Sequence, residues 1–260
     1  MPTQIDQFSL TTAPLSLYFN DTHLSDATGF IWHQGPKNYL ITSWHVVTAR
    51  NARTGKHLFD HGGRPNKIRT LFNVRMQQFQ KQEHVITIRD DDDKPQWLAH
   101  PSRGRAVDVV AIPLPYQGDE DPIFALHPIN RYTADYLSIR IAMDVFVLGY
   151  PFGPEPPGYP VWKRGSMASE PDLAQIGTGY YLIDTASRPG MSGAPVIRRI
   201  WNQISTGEIV IPAPTPLRTE FLGVYSGRRH TRNKEGAQLG IVWPRSCIEE
   251  IIIGNMRDED

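Results

Sequence analysis

The chain has 260 residues, 40% of them hydrophobic and 21% charged, and its 27 Lys+Arg balance its 27 Asp+Glu. Such a chain can bury a full core, which excludes disorder over most of its length, and its zero net charge argues against a dedicated nucleic-acid binder. No run approaches the roughly 18 apolar residues of a membrane span, the N-terminus lacks the basic and apolar regions of a secretory signal, and the single cysteine, Cys247, can form no internal disulfide, so a cytoplasmic location is expected.

Gly and Pro are scattered along the whole chain and punctuate short runs rich in β-branched and aromatic residues, the pattern of many short strands. In chain order the first six candidates are Pro14–Asn20, Thr28–Gln34, Asn38–Ser43, Ile68–Met76, Glu83–Arg89 and Asp108–Pro113. The second six are Asp144–Tyr150, Val161–Ser169, Tyr180–Thr185, Ala194–Arg198, Thr219–Ser226 and Ala237–Trp243. The expected fold is all-β, two six-stranded antiparallel β-barrels over residues 1–135 and 136–260 that act as one unit. A C-terminal α-helix ends the chain. Ser246 and Glu249 have capping-box spacing after Pro244, Ile248, Ile251 and Ile252 recur on one helical face, and Gly254 stands where a C-cap is expected.

Three segments carry residues suited to chemistry: Ile41-Thr42-Ser43-Trp44-His45-Val46-Val47, Ala106-Val107-Asp108-Val109-Val110, and Arg188-Pro189-Gly190-Met191-Ser192-Gly193-Ala194. A serine hydroxyl becomes a useful nucleophile when an imidazole takes its proton, and a desolvated carboxylate fixes the tautomer of that imidazole. Asp108, at the head of an apolar run, needs a partner to offset its desolvation, and the Nδ1 hydrogen of His45 suits it. Gly190 and Gly193 bracket Ser192 in a turn that can aim the amides of Gly190 and Ser192 at a developing oxyanion.

With these segments in this order, the sequence resembles the trypsin-like (chymotrypsin-fold) serine peptidases of the disulfide-free bacterial type, related in pattern to the HtrA proteases. Thr28-Gly29-Phe30-Ile31, Val147-Leu148-Gly149-Tyr150-Pro151, Gly223-Val224-Tyr225-Ser226-Gly227 and Leu239-Gly240-Ile241-Val242 extend the likeness over residues 12–254. The resemblance implies a cleft between two barrels, with His45 and Asp108 from the first and Ser192 from the second, and acyl transfer through Ser192 without metal or cofactor. An extended protein or peptide substrate would pair with the edge that ends in Tyr225, Ser226 and Gly227. Ala186, in place of an acid at the pocket base, argues against cleavage after Lys or Arg and suits an apolar side chain, with Tyr225, Gly227 and Gly240 as walls. Met191 precedes the serine where secreted relatives carry an acid, which argues against activation by N-terminal cleavage.

A second reading is a latent or inactive peptidase-like module that binds a peptide or partner protein, its oxyanion hole collapsed around Met191. A third is an esterase using the same acyl chemistry. The insert Thr48–Lys67 offers a contact surface for a regulatory protein partner. Asp90–Asp93 reads as a solvated loop. His57 and His61 have metal-ligand spacing, but the nearby glycines favour a loop without metal. Arg228–Lys234 reads as a basic hairpin tip that could favour acidic groups, and Cys247 as a buried, inert thiol.

Overall fold

A computed structural model describes the protein at residues 5–59, 63–75, 80–117, 123–134, 139–153, 155, 158–186, 188–206, 209–228 and 238–259. In the first half, the short helix α1 (Gln7–Thr11), capped by the Asp6 carboxylate on the Phe8 amide at 3.0 Å, leads into β1 (Thr12–Phe19). There follow β2 (Thr22–Gln34), β3 (Lys37–Thr42), α2 (Trp44–Thr48), β4 (Lys67–Asn73), β5 (Lys81–Thr87), β6 (Leu98–Ala99) and β7 (Val110–Gln117). The second half holds β8 (Asp144–Gly149), β9 (Val161–Met167), α3 (Pro171–Gly177), β10 (Tyr181–Asp184), β11 (Pro195–Thr206), β12 (Ile209–Arg228) and β13 (Leu239–Pro244). The helix α4 (Arg245–Gly254) and β14 (Met256–Arg257) complete the chain.

The second-half strands close into a six-stranded barrel in the order β10-β13-β12-β11-β8-β9, sealed where Ile183 of β10 pairs with Met167 of β9. The first half departs from the expected second barrel. Its seven strands, joined by β14, form an open eight-stranded sheet in the order β14-β6-β7-β3-β2-β1-β4-β5. Among the described residues its edge strands, β5 and β14, do not pair with each other, and β14, with Met256 opposite Ala99, extends the sheet past the two-residue β6. Counting strand-like runs cannot reveal this, because closure depends on tilt and shear rather than on alternation within a strand.

Each of the twelve expected runs overlaps an observed strand. The α4 helix buries Cys247, Ile248, Ile251 and Ile252, but its start differs from the expected capping box. It begins at Arg245 with Pro244 at the N-cap, no side chain caps it, and Glu249 instead pairs with Arg245 at 2.8 Å. Gly254 is its last helical residue, placed so that a Cβ would lie 2.7 Å from Pro101, and Asn255 makes the left-handed turn at φ 46°.

One apolar cluster lies under the sheet, around Leu15, Trp97 and Ile112, and another fills the barrel, around Val147, Tyr181 and Val196. A further cluster joins the two halves. Phe30 and Trp32 of β2 meet Phe221 of β12 with ring centroids 5.3 and 5.5 Å apart, and Ile248 and Ile251 of α4 seal the same core. Burial, reinforced by the charge of Glu250, pushes the Cys247 thiol up to about 12, so it stays protonated and inert.

After α4 the chain returns to the sheet, where Asp258 Oδ2 accepts from the indoles of Trp44 at 2.6 Å and Trp97 at 2.8 Å. In the Asp90–Asp93 turn, Asp90 accepts from the amides of Asp92 and Lys94. His57 bridges to Arg50, whereas His61 and the basic residues after Arg228 lie outside the described residues. No group of three metal-ligating side chains occurs among the described residues, and none of their helices is long and apolar enough to cross a membrane.

Candidate active site

His45 stands on α2, a single turn of helix that starts as soon as β3 ends. Asp108 lies two residues before β7, and β7 pairs with β3 through Thr42 opposite Val110, so the sheet register itself brings the carboxylate to the imidazole. One carboxylate oxygen accepts the His45 backbone amide at 2.9 Å, and the other lies 2.7 Å from His45 Nδ1. The carboxylate therefore takes the Nδ1 hydrogen, leaving Nε2 as the free, basic nitrogen. Burial by itself would lower the proton affinity of His45, but the charge and hydrogen bond of Asp108 outweigh it, and the imidazole pKa is raised above its ordinary value.

Ser192 belongs to the loop from β10 to β11, which leaves the barrel and packs against the sheet. The Gly193 amide donates to the Tyr225 carbonyl at 2.7 Å, tying the loop to the barrel, while the Ser192 carbonyl accepts the Thr28 amide at 2.9 Å, tying it to β2. Gly193 adopts φ +85°, and a Cβ there would lie 2.1 Å from the Thr28 carbonyl oxygen and 2.2 Å from Thr42 Oγ1. Ser192 thus sits where the barrel meets the strand end that precedes His45 by three residues. Gly190 adopts φ +88° with its Cα against the Tyr150 carbonyl. The amides of Gly190 and Ser192 donate to no acceptor among the described residues.

Thr28 is the residue that sequence reasoning undervalued. Fully buried, its hydroxyl donates to the Gly190 carbonyl at 2.7 Å and accepts the Tyr150 amide at 3.0 Å, while its own carbonyl accepts Thr42 Oγ1 at 2.8 Å. It connects the serine loop, the end of β8 and the end of β3. The sequence signal was a hydroxyl directly before Gly29-Phe30-Ile31, but one threonine in a strand says nothing of its partners.

The remaining candidates differ in their surroundings. A Cβ on Gly227 would stand 3.6 Å from Ser192 Oγ. Ser226 and Gly227 occupy a register break in the β12–β13 ladder, between Tyr225 opposite Val242 and Arg228 opposite Gly240. Tyr225 is 1% exposed, its ring packed beneath Gly240, so it belongs to the barrel core rather than to an open wall. Ala186 is exposed, and its carbonyl accepts a hydrogen bond from the Lys163 ammonium. Met191 is buried in the barrel core against Gly149.

A family model described as a trypsin-like peptidase domain matches residues 27–204. Of similar solved structures, the serine endoprotease from Yersinia pestis gives a TM-score of 0.52 at 12% identity over 97% of this chain and 66% of that one. The thermostable serine protease AL20 from an extremophilic microorganism gives 0.51 at 10% identity over 96% of each chain. The Rv3671c protease from M. tuberculosis in its active form gives 0.49 at 17% identity over 96% of this chain and 83% of that one. At these identities the likeness is one of fold. No curated protein sequence matches the chain.

Proposed function

The chain belongs to the trypsin-like peptidase domain family, whose model spans more than half of it, and from that membership we propose that it is a serine endopeptidase working through an acyl-enzyme on Ser192. The observation that carries this reading is the grip of Asp108 on both the backbone and the ring of His45, which leaves Nε2 as the basic nitrogen on the helix that follows the strand end where the serine loop docks. Ser192 Oγ attacks the peptide carbonyl as its proton passes to His45 Nε2. The oxyanion is received by the amides of Gly190 and Ser192, each such donor being worth about a hundred- to a thousandfold in rate. The C–N bond then breaks as His45 returns the proton to the leaving amine. Water, deprotonated by the same nitrogen, hydrolyses the ester and restores the serine.

The absence of an acceptor for those two amides among the described residues supports a formed oxyanion hole over a collapsed one. The register break at Ser226 and Gly227 supports pairing of an extended peptide beside the nucleophile. The lone, buried Cys247 is consistent with a reducing, cytoplasmic setting.

Intact-mass analysis after exposure to a fluorophosphonate tests the reading. The expected result is one adduct per wild-type chain, lost in Ser192→Ala and slowed severely in His45→Ala. No adduct on folded wild-type protein overturns it in favour of a module that binds without cutting.

A further inference from the structure

Lys81, the first residue of β5, carries a buried amine that the chemistry above does not use. Its Nζ is shut away from water, has no hydrogen-bond partner and forms no ion pair among the described residues. It lies 4.7 Å from the centre of the Tyr159 ring, and the Tyr159 hydroxyl is itself buried without a partner. Both groups sit where the connection from β8 to β9, described at residues 150–153, 155 and 158–160, meets the sheet. There a Cβ on Gly158 would lie 3.4 Å from Lys81 Cδ and 3.7 Å from Leu71 of β4. Leu71 and Asn73, the residue opposite Lys81 on β4, carry no charge. Glu83 and Glu155, the nearest acids in sequence on β5 and on the connection, are exposed and do not pair with Lys81, and His84 turns to the other face, stacked on Phe72.

One residue carries this contact to the serine loop. At its far end the Tyr150 hydroxyl lies 3.2 Å from the Gly158 carbonyl and 3.1 Å from the Thr12 carbonyl. At its near end the Tyr150 amide donates to Thr28 Oγ1 at 3.0 Å, and its carbonyl backs Gly190 so closely that a Cβ there would lie 2.2 Å away. Gly158, on which Lys81 packs, and Gly190, an oxyanion donor of the proposed mechanism, therefore touch the two ends of the same buried side chain and backbone. We propose that Lys81 is a positioning residue for the oxyanion loop: as a neutral amine it seals the β8–β9 connection onto the sheet and holds Tyr150 behind Gly190, and as an ammonium it loosens that seal. The inference rests on the endopeptidase reading. The Tyr159 ring attracts an ammonium, but a charge buried without an acceptor costs more than one ring returns. Burial accordingly pushes the Lys81 pKa down to about 8, so both forms are reached within an ordinary range of assay pH.

Fluorophosphonate labelling rates of wild type, Lys81→Met and Lys81→Arg, from about pH 6.5 to about pH 9.5, test the proposal. Methionine fills the site without charge, and arginine stays charged throughout. Each variant is compared with wild type at the same pH, so the titration of His45 cancels. Lys81→Met is expected to label about tenfold faster than wild type at the acid end, less than the worth of a whole oxyanion donor, and equally fast at the alkaline end. Lys81→Arg should match wild type at the acid end and lag about tenfold at the alkaline end. Ratios that do not change with pH, the mark of a merely structural contact, overturn the inference and leave the peptidase reading intact.

Urea midpoints in a Ser192→Ala background give a readout without catalysis, and Lys81→Met suffices for it if Lys81→Arg does not fold. Between about 8 in the folded chain and about 10.4 in the unfolded one, the unfolded state binds more protons, so wild-type stability rises with pH. Its deficit against Lys81→Met should therefore shrink through that window, and a constant deficit overturns the inference. No labelling of folded wild type at any pH overturns the peptidase reading, and the inference with it.

Discussion

Asp108 holds His45 by two bonds, and each has its own consequence for function. The bond to the backbone amide positions α2, and the bond to Nδ1 sets the tautomer and raises the imidazole pKa. As a base His45 must be neutral, so activity should rise with pH through a midpoint above the ordinary histidine value of 6.5. Asp108→Asn leaves burial without the compensating charge. It should lower kcat by about 10⁴ and move that limb to lower pH, as pH–rate profiles of both proteins would reveal. The stability linked to this group follows from the same shift. A raised folded-state pKa stabilises fully below the unfolded value and is lost as pH rises through the folded one, so the wild-type advantage in urea midpoint over Asp108→Asn should shrink toward alkaline pH. Thr28→Val keeps the shape of Thr28 but removes a hydroxyl that serves Gly190 and Tyr150. It should cost about 2 kcal/mol in urea unfolding and slow fluorophosphonate labelling as the serine loop loses its support. The triad candidates could be read from the sequence because each residue type carries its own chemistry. Thr28 could not, since its importance comes entirely from what surrounds it.

At the scale of elements, the end of the chain supports the His45 helix. The two-residue strand β14 brings Asp258 under Trp44, the first residue of α2, and under Trp97 beside β6. Both indoles are almost fully buried. In Asp258→Ala their N–H groups lose a charged acceptor, for an expected loss of about 2–4 kcal/mol. Asp258→Asn retains one acceptor oxygen and should lose less. Urea midpoints of the two variants check this order. A strand such as Lys67–Asn73 announces itself through alternation, with every second residue buried, and β3 through an unbroken apolar run. Two-residue strands and one-turn helices do not, since they span less than the period that would reveal them.

Across the whole molecule, the core that joins sheet and barrel makes the two halves mutually dependent. Phe221 of the barrel packs on Phe30 and Trp32 of the sheet and is 1% exposed. Phe221→Ala should cost about 3–5 kcal/mol, and calorimetry and near-ultraviolet circular dichroism should still give coincident transitions rather than separate unfolding of the halves. Two transitions in the variant or the wild type would contradict this account of the joining core.

From the sequence alone came the strand-rich class, the approximate place of twelve strands, the buried face of the final helix and the pairing of His45 with Asp108. Each follows from local periodicity or from the intrinsic chemistry of a side chain. Tertiary structure alone decided that the first half is an open sheet, with β14 from the far end of the chain added at its edge. It also turned Lys163 toward Ala186 and made Thr28 the link between serine loop and sheet. These are contacts between segments far apart in sequence, and their energies depend on distances and orientations that no local pattern encodes.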